Sequence, residues 1–151
     1  MKYSFDIIIK APLDICAKKF NSTENMKHWQ RGLVAVEHIS GIPGEFGAKM
    51  KIFFKMGNRQ LSLIETITHK NFPHEFHGIY AAENIDNHQE NHFSATSGNH
   101  TKWTCTNEFI PLSFKMRLML WLMPNTFKKQ TLRYMRDFKS FAEKEISVCV
   151  N

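Results

Sequence analysis

Paired cysteines are missing from this chain. Its three, Cys16, Cys105 and Cys149, lie far apart with no CxxC spacing, so there is no disulfide framework to staple the fold. The odd count, and an N-terminal stretch whose apolar run lasts only from Ile7 to Ile9 before Lys10, lead to an expectation of reduced thiols in a cytoplasm. Long hydrophobic runs are missing too. Leu112–Met123 is about twelve residues and is interrupted by Lys115 and Arg117, against the roughly 20 needed to cross a bilayer. The chain contains no HExxH, no P-loop, no GxGxxG and no Ser-His-Asp order, and the glycine-rich Gly41–Gly47 lacks the lysine of a phosphate cradle. Internal repeats and linkers are absent as well.

Basic residues exceed acidic ones, 20 against 14, for a formal charge of +6. A basic balance invites nucleic acid or an anionic surface as partner, but no run of five or six cations occurs. The cations read as a solvated surface, and no nucleic-acid partner is expected.

What the chain does have is bulk. Thirteen Phe and 8 Met in 151 residues, at 42% apolar content, suit one domain over 1–151 with a loosely shaped apolar interior. The elements follow in order. Lys2–Ile9 reads as a strand, and Ala11-Pro12 stops it. Leu13–Phe20 and the segment around Met26 and Trp29 read as two short helices. Strands are then expected at Leu33–Ile39, Lys49–Met56, Gln60–His69, Glu75–Ala82, Ile85–Ala95 and His100–Ile110, separated by glycine and proline turns. Met50, Ile52 and Phe54 share one strand face, as do Leu61, Leu63, Glu65 and Ile67 on the next, and Trp103, Cys105, Asn107 and Phe109 on the last.

Asn125–Ile146 projects Phe127, Thr131, Tyr134, Met135, Phe138, Phe141 and Ala142 as one stripe, with Lys129, Arg133, Arg136 and Lys144 opposite. Pro124 should kink or break this helix away from Leu112–Met123. The fold class is therefore α+β: a curved antiparallel sheet of about six or seven strands, two short helices after the first, and a long C-terminal helix packed across it.

This order resembles the helix-grip fold of the SRPBCC superfamily, which includes START lipid-transfer domains, pollen-allergen-like carriers and polyketide cyclases. Trp29 with Arg31-Gly32-Leu33, the glycines Gly41, Gly44 and Gly47, Glu65-Thr66-Ile67 ahead of Pro73, and the ending MPNTFKKQTLRYMRDFKSFAE carry the resemblance. It implies a cavity between sheet and helix that holds a small hydrophobic molecule or lipid. A cyclase or aromatase acting on a hydrophobic substrate in the same cavity is the alternative that it implies, and a module binding a protein partner is a third class.

The residues expected to line the cavity are Phe54, Leu63, Tyr80, Phe93, Trp103, Phe138 and Phe141, with Glu65, Asn107 and Tyr134 as polar groups. Gly41–Gly47 and Leu118–Met123 would border its mouth. If its strand face points inward, Glu65 is a carboxylate in an apolar space, where desolvation raises its pKa and suits it to act as an acid, base or anchor; the plain alternative is a strand-end Glu that bends to water. Of the eight histidines, His74 with His77 and His88 with His92 are the nearest pairs. Strand geometry sets the first on opposite faces and the second roughly 13 Å apart, so they read as surface groups. No metal, no cofactor and no catalytic residue is expected. Leu112–Met123 is apolar on every side, which one sheet face cannot satisfy. It is expected to meet a ligand, a second subunit or a membrane surface, the last two through Leu118–Met123.

Overall fold

Alternating side chains build the sheet here, and a proline separates the helices that cover it. The computed structural model describes residues 1–149. Its strands are β1 (Lys2–Ile9), β2 (Leu33–Ser40), β3 (Lys49–Met56), β4 (Arg59–Asn71), β5 (Glu75–Ala81), β6 (Ile85–Thr96) and β7 (His100–Pro111). They form one seven-stranded curved sheet in the order β1-β7-β6-β5-β4-β3-β2. Strands β2 to β7 are each paired antiparallel with the next along the chain. β1 pairs instead with β7, with Phe5 opposite Cys105 and Ile7 opposite Trp103. Helices α1 (Leu13–Asn21) and α2 (Met26–Trp29) carry the chain from that edge to the other.

Leaving α2, the backbone turns at Gly32 with φ +79°. A Cβ there would fall 2.6 Å from the Lys55 carbonyl oxygen, so the Arg31-Gly32-Leu33 motif is set by a close approach of two backbones. Arg31 beside it donates twice to Asp137, from Nε at 2.7 Å and Nη2 at 3.0 Å. That fork ties the start of β2 to the last helix.

Pro124 separates α3 (Phe114–Leu122) from α4 (Pro124–Lys144) by occupying the first turn of α4, where its missing N–H costs no helical bond. Ser113 caps α3 by accepting from the Met116 N–H at 3.2 Å. α4 stops at Lys144 because Glu145 turns left-handed, with φ 53°. The helix thus ends two residues before the point the sequence pattern suggests. No helix among the described residues is long and apolar enough to cross a membrane.

The apolar stripe of α4 has two parts. Toward its C-terminal end, Met135, Phe138, Phe141 and Ala142 are buried against the sheet. Phe20 of α1 sits at the centre of that core, with the rings of Trp29, Phe76, Phe93, Trp103 and Phe138 all within 5.7 Å of it, centroid to centroid. Most of these contacts are edge-to-face, the arrangement favoured by aromatic quadrupoles. Toward the N-terminal end of α4, Phe127 and Tyr134 are less buried. Here the helix stands away from the sheet, tethered by Tyr3, whose hydroxyl lies 2.8 Å from the Thr131 hydroxyl and donates to the Phe127 carbonyl at 3.1 Å.

Candidate functional site

The gap left between that end of α4 and the sheet is a cavity of about 450 Å3. Ile52 and Phe54 of β3, Leu63 of β4, Tyr80 of β5 and Phe127 and Tyr134 of α4 wall it with apolar surface. Met116 and Met119 of α3 close it on one side. Its rim carries exposed residues of the β3–β4 hairpin, Met56, Arg59 and Leu61, so the mouth lies between that hairpin and α3. A second cavity of about 250 Å3 lies under the glycine-rich loop, where Pro43 and Gly44 contribute to its wall with Glu65, Ile67 and Phe76. Trp29, Gln30, Tyr80 and Tyr134 line both spaces and form the partition between them.

Six of the ten residues expected to surround a ligand line these spaces. Phe54, Leu63 and Asn107 face the larger one, Glu65 the smaller, and Tyr80 and Tyr134 both. Phe93, Trp103, Phe138 and Phe141 lie elsewhere, in the packed aromatic core. Their strand and helix faces point inward, but α1 and α2 fill the space beside them with Phe20 and Trp29. Of the two segments expected at a single mouth, α3 borders the larger cavity and the glycine-rich loop the smaller.

The floor of the larger cavity is polar. Asn87, Gln89 and Asn91 of β6 all point inward, because alternation along the strand puts them on one face with buried Phe93. Asn107 accepts from Asn87 Nδ2 at 2.8 Å and from Gln89 Nε2 at 3.0 Å, and its own Nδ2 donates to Cys105 Sγ at 3.3 Å. Asn91 donates to Gln89 Oε1 at 3.2 Å and accepts the Trp103 indole N–H at 3.0 Å. A ladder of amides thus runs from core to cavity with nearly every polar atom satisfied. Among the described residues, two buried side-chain atoms have no protein partner, Trp29 Nε1 and Asn87 Oδ1. Both residues line the larger cavity. One offers a donor and the other an acceptor. Sequence reasoning missed this ladder, reading Ile85–Ala95 only as a strand; three amides two residues apart were the available signal.

Glu65 is 6% exposed, the one carboxylate among the buried residues described. Its strand face is inward because β4 alternates without interruption from Leu61 to Ile67. Burial pushes its carboxyl above the usual value near 4.5, and a hydrogen bond from Tyr80 offsets part of that rise. The Tyr80 and Tyr134 phenols are partly buried against the cavities, and that burial, with smaller contributions that include nearby Glu65, holds both well above 10. Burial pushes the Cys105 thiol up to about 12, which makes it unreactive.

A raised carboxyl pKa means that folding favours the protonated form. The stability that Glu65 contributes is therefore full below its unfolded value and is lost as pH rises through the folded one. Glu65→Gln should match the wild type in acid and become relatively more stable toward neutral pH. Denaturant midpoints measured between about pH 4 and 8 check this; a difference that does not vary with pH would contradict it.

Apart from His38, which lines the smaller cavity, the histidines fall outside the two cavities. Neither expected pair forms a cluster by itself; His77 instead meets His69 and His92 across neighbouring strands on the outer face of the sheet.

No protein-family model matches the sequence, and no curated protein does. Solved structures do match by shape. A conserved protein from Geobacillus kaustophilus superposes with TM-score 0.78 at 12% identity, over 94% of this chain and 95% of its own. Ginseng major latex-like protein 151 from Panax ginseng gives 0.72 at 13%, over 94% and 97%. An aromatase/cyclase from Streptomyces sp. R1128 gives 0.75 at 10%, over 97% and 95%. The fold is a helix-grip fold, shared with these structures. In helix-grip terms α4 is the gripped helix, β1 to β7 are the hand, and α3 fills the gap between the last strand and that helix. At these identities the likeness fixes the fold and leaves the activity to the site itself.

Proposed function

We propose that this protein binds a small, mainly apolar molecule or lipid in the larger cavity between sheet and α4, with one polar group of the ligand held at the amide floor. The supporting observation is the cavity itself. At about 450 Å3 it falls within the roughly 300–1,000 Å3 usual for ligand pockets, and it has their make-up of apolar walls with few polar groups. A ligand that buries about 300 Å2 of apolar surface there gains roughly 7 kcal/mol before the costs of association. The unpartnered Trp29 Nε1 and Asn87 Oδ1 favour a ligand that offers a hydrogen-bond acceptor to the first and a donor to the second. α3 provides the way in. It buries Leu120, lends Met116 and Met119 to the cavity wall, and leaves Phe114, Trp121 and Leu122 more than 60% exposed, so an apolar molecule meets apolar surface before it reaches the mouth.

Native mass spectrometry of protein purified without detergent tests the reading. A bound apolar species should appear as added mass, and stripping with organic solvent should remove it. Protein that stays free of added mass after incubation with a mixed lipid extract would sink the proposal.

One observation favours a second reading, an enzyme of the cyclase kind, as the name of the Streptomyces neighbour suggests. Glu65 stands opposite Tyr80 across β4 and β5, and both line the smaller cavity, where a protonated carboxyl beside a phenol could deliver a proton. Carriage survives Tyr80→Phe, whereas turnover by such a pair does not.

A further inference from the structure

We propose that the outer face of the sheet carries a site for one divalent transition-metal cation, with His69, His77, His92 and Glu75 as its ligands. Nothing in the chain's local spacing announces it, because the donors come from three different strands. Register brings them together: His69 stands opposite His77 across β4 and β5, and Glu75 opposite His92 across β5 and β6. A bulge between Ile67 and His69 makes this work. Ile67 faces the core, and unbroken alternation would turn His69 inward after it; the extra residue returns His69 to the outer face beside His77.

The donors are close before any cation is present. Glu75 Oε2 is 2.6 Å from His69 Nε2, and its Oε1 is 3.5 Å from His92 Nδ1. The His77 ring lies between the other two, with centroids 5.1 Å from His69 and 4.8 Å from His92. Ligating atoms of His69, Glu75 and His77 all lie within 4.8 Å of one another, as do those of His77, Glu90 and His92. Bonds of about 2.0–2.2 Å to one ion need donors somewhat closer than this. The side chains of His69 and His92 are 49% and 44% exposed, so they can swing the remaining distance while the strands stay fixed. His77 belongs to both groupings, which argues for a single ion centred on it. Glu75 is the carboxylate that reaches both flanking histidines.

Charge points the same way. Glu75 and Glu90 sit diagonally across β5 and β6 on this face, and among the described residues neither has a Lys or Arg partner, only the histidines. A divalent cation would balance the pair. Imidazole nitrogens with one carboxylate suit zinc, nickel or copper and discriminate against magnesium and calcium, which prefer oxygen ligands. To bind, His69 gives up its bond to Glu75, and His77 gives up the Asn91 backbone N–H that it accepts at 3.2 Å.

Titration calorimetry with zinc chloride alone, on chelator-treated protein, tests the site. One zinc should bind per chain with saturation. His77→Gln and His69→Gln should each weaken it at least tenfold, whereas His88→Gln, on the same outer face but outside the cluster, should leave it unchanged. Circular dichroism of the metal-free variants confirms that they fold, and if His77→Gln does not, His69→Gln carries the comparison. Absence of saturable binding overturns the proposal, and so does zinc binding that a folded His77→Gln or His69→Gln retains in full.

Discussion

Phe138→Ala should cost the fold about 3–5 kcal/mol, the usual loss for emptying a fully buried aromatic position. Phe138 is 0% exposed, and its ring lies 5.4 Å from Phe20, 4.8 Å from Trp29 and 5.3 Å from Trp103, centroid to centroid. These rings come from α1, α2 and β7, so no single element can move to fill the space. The cost comprises lost apolar burial, lost edge-to-face contacts and a residual void. It is a large share of the roughly 5–15 kcal/mol that holds such a domain folded. For a chain of this size it should lower the thermal midpoint by roughly 6–20 °C. Trp121→Ala is the contrast: its side chain is 76% exposed on α3, and removing it should change stability by no more than about 0.5 kcal/mol. Thermal unfolding followed by circular dichroism measures both. Equal losses would mean that the packed core does not lie where the structure puts it.

The contrast between Phe138 and Tyr134 also shows what the sequence conveys and what it withholds. Period was readable: Phe138, Phe141 and Tyr134 fall on one stripe of α4, and Glu65 shares a strand face with Leu61, Leu63 and Ile67; which face of β4 points inward was left open, and the structure buries Glu65. Depth was not readable. Whether an inward residue meets another side chain or an open space depends on what sits opposite, and for Phe93, Trp103, Phe138 and Phe141 the answer is supplied by α1 and α2, more than seventy residues away from most of them. Tyr134, one turn earlier on α4, packs against Trp29 of α2, 4.8 Å between ring centroids, yet lines both cavities.

The misses on β4 and β6 have different causes. Asn87, Gln89 and Asn91 break the rule that inward positions are apolar, and only their cross-strand partners, Asn107 for the first two and Trp103 and the Phe76 carbonyl for the third, explain how they are accommodated. A bulge is invisible to a period-two reading, so the His69 side chain could not be placed, and the histidine cluster that it completes was hidden with it. The break at Pro124 was the opposite case, because one residue's covalent chemistry settles the outcome locally.

The central claim is that the space beside Leu63 is a binding cavity, and Leu63→Trp addresses it directly. Leu63 projects from β4 into the larger cavity, and an indole there would occupy the volume that a ligand needs. The neighbouring residue Ser62 is exposed on the opposite face, so Ser62→Trp adds the same ring to the same strand without entering the cavity. The measurement is a titration of each protein with an apolar naphthalene-type fluorescent probe, with folding checked by circular dichroism. Wild type and Ser62→Trp should each bind one probe per chain with saturation, and Leu63→Trp should bind it at least tenfold more weakly, a loss of about 1.4 kcal/mol or more. Equal probe affinity in a folded Leu63→Trp would contradict the account.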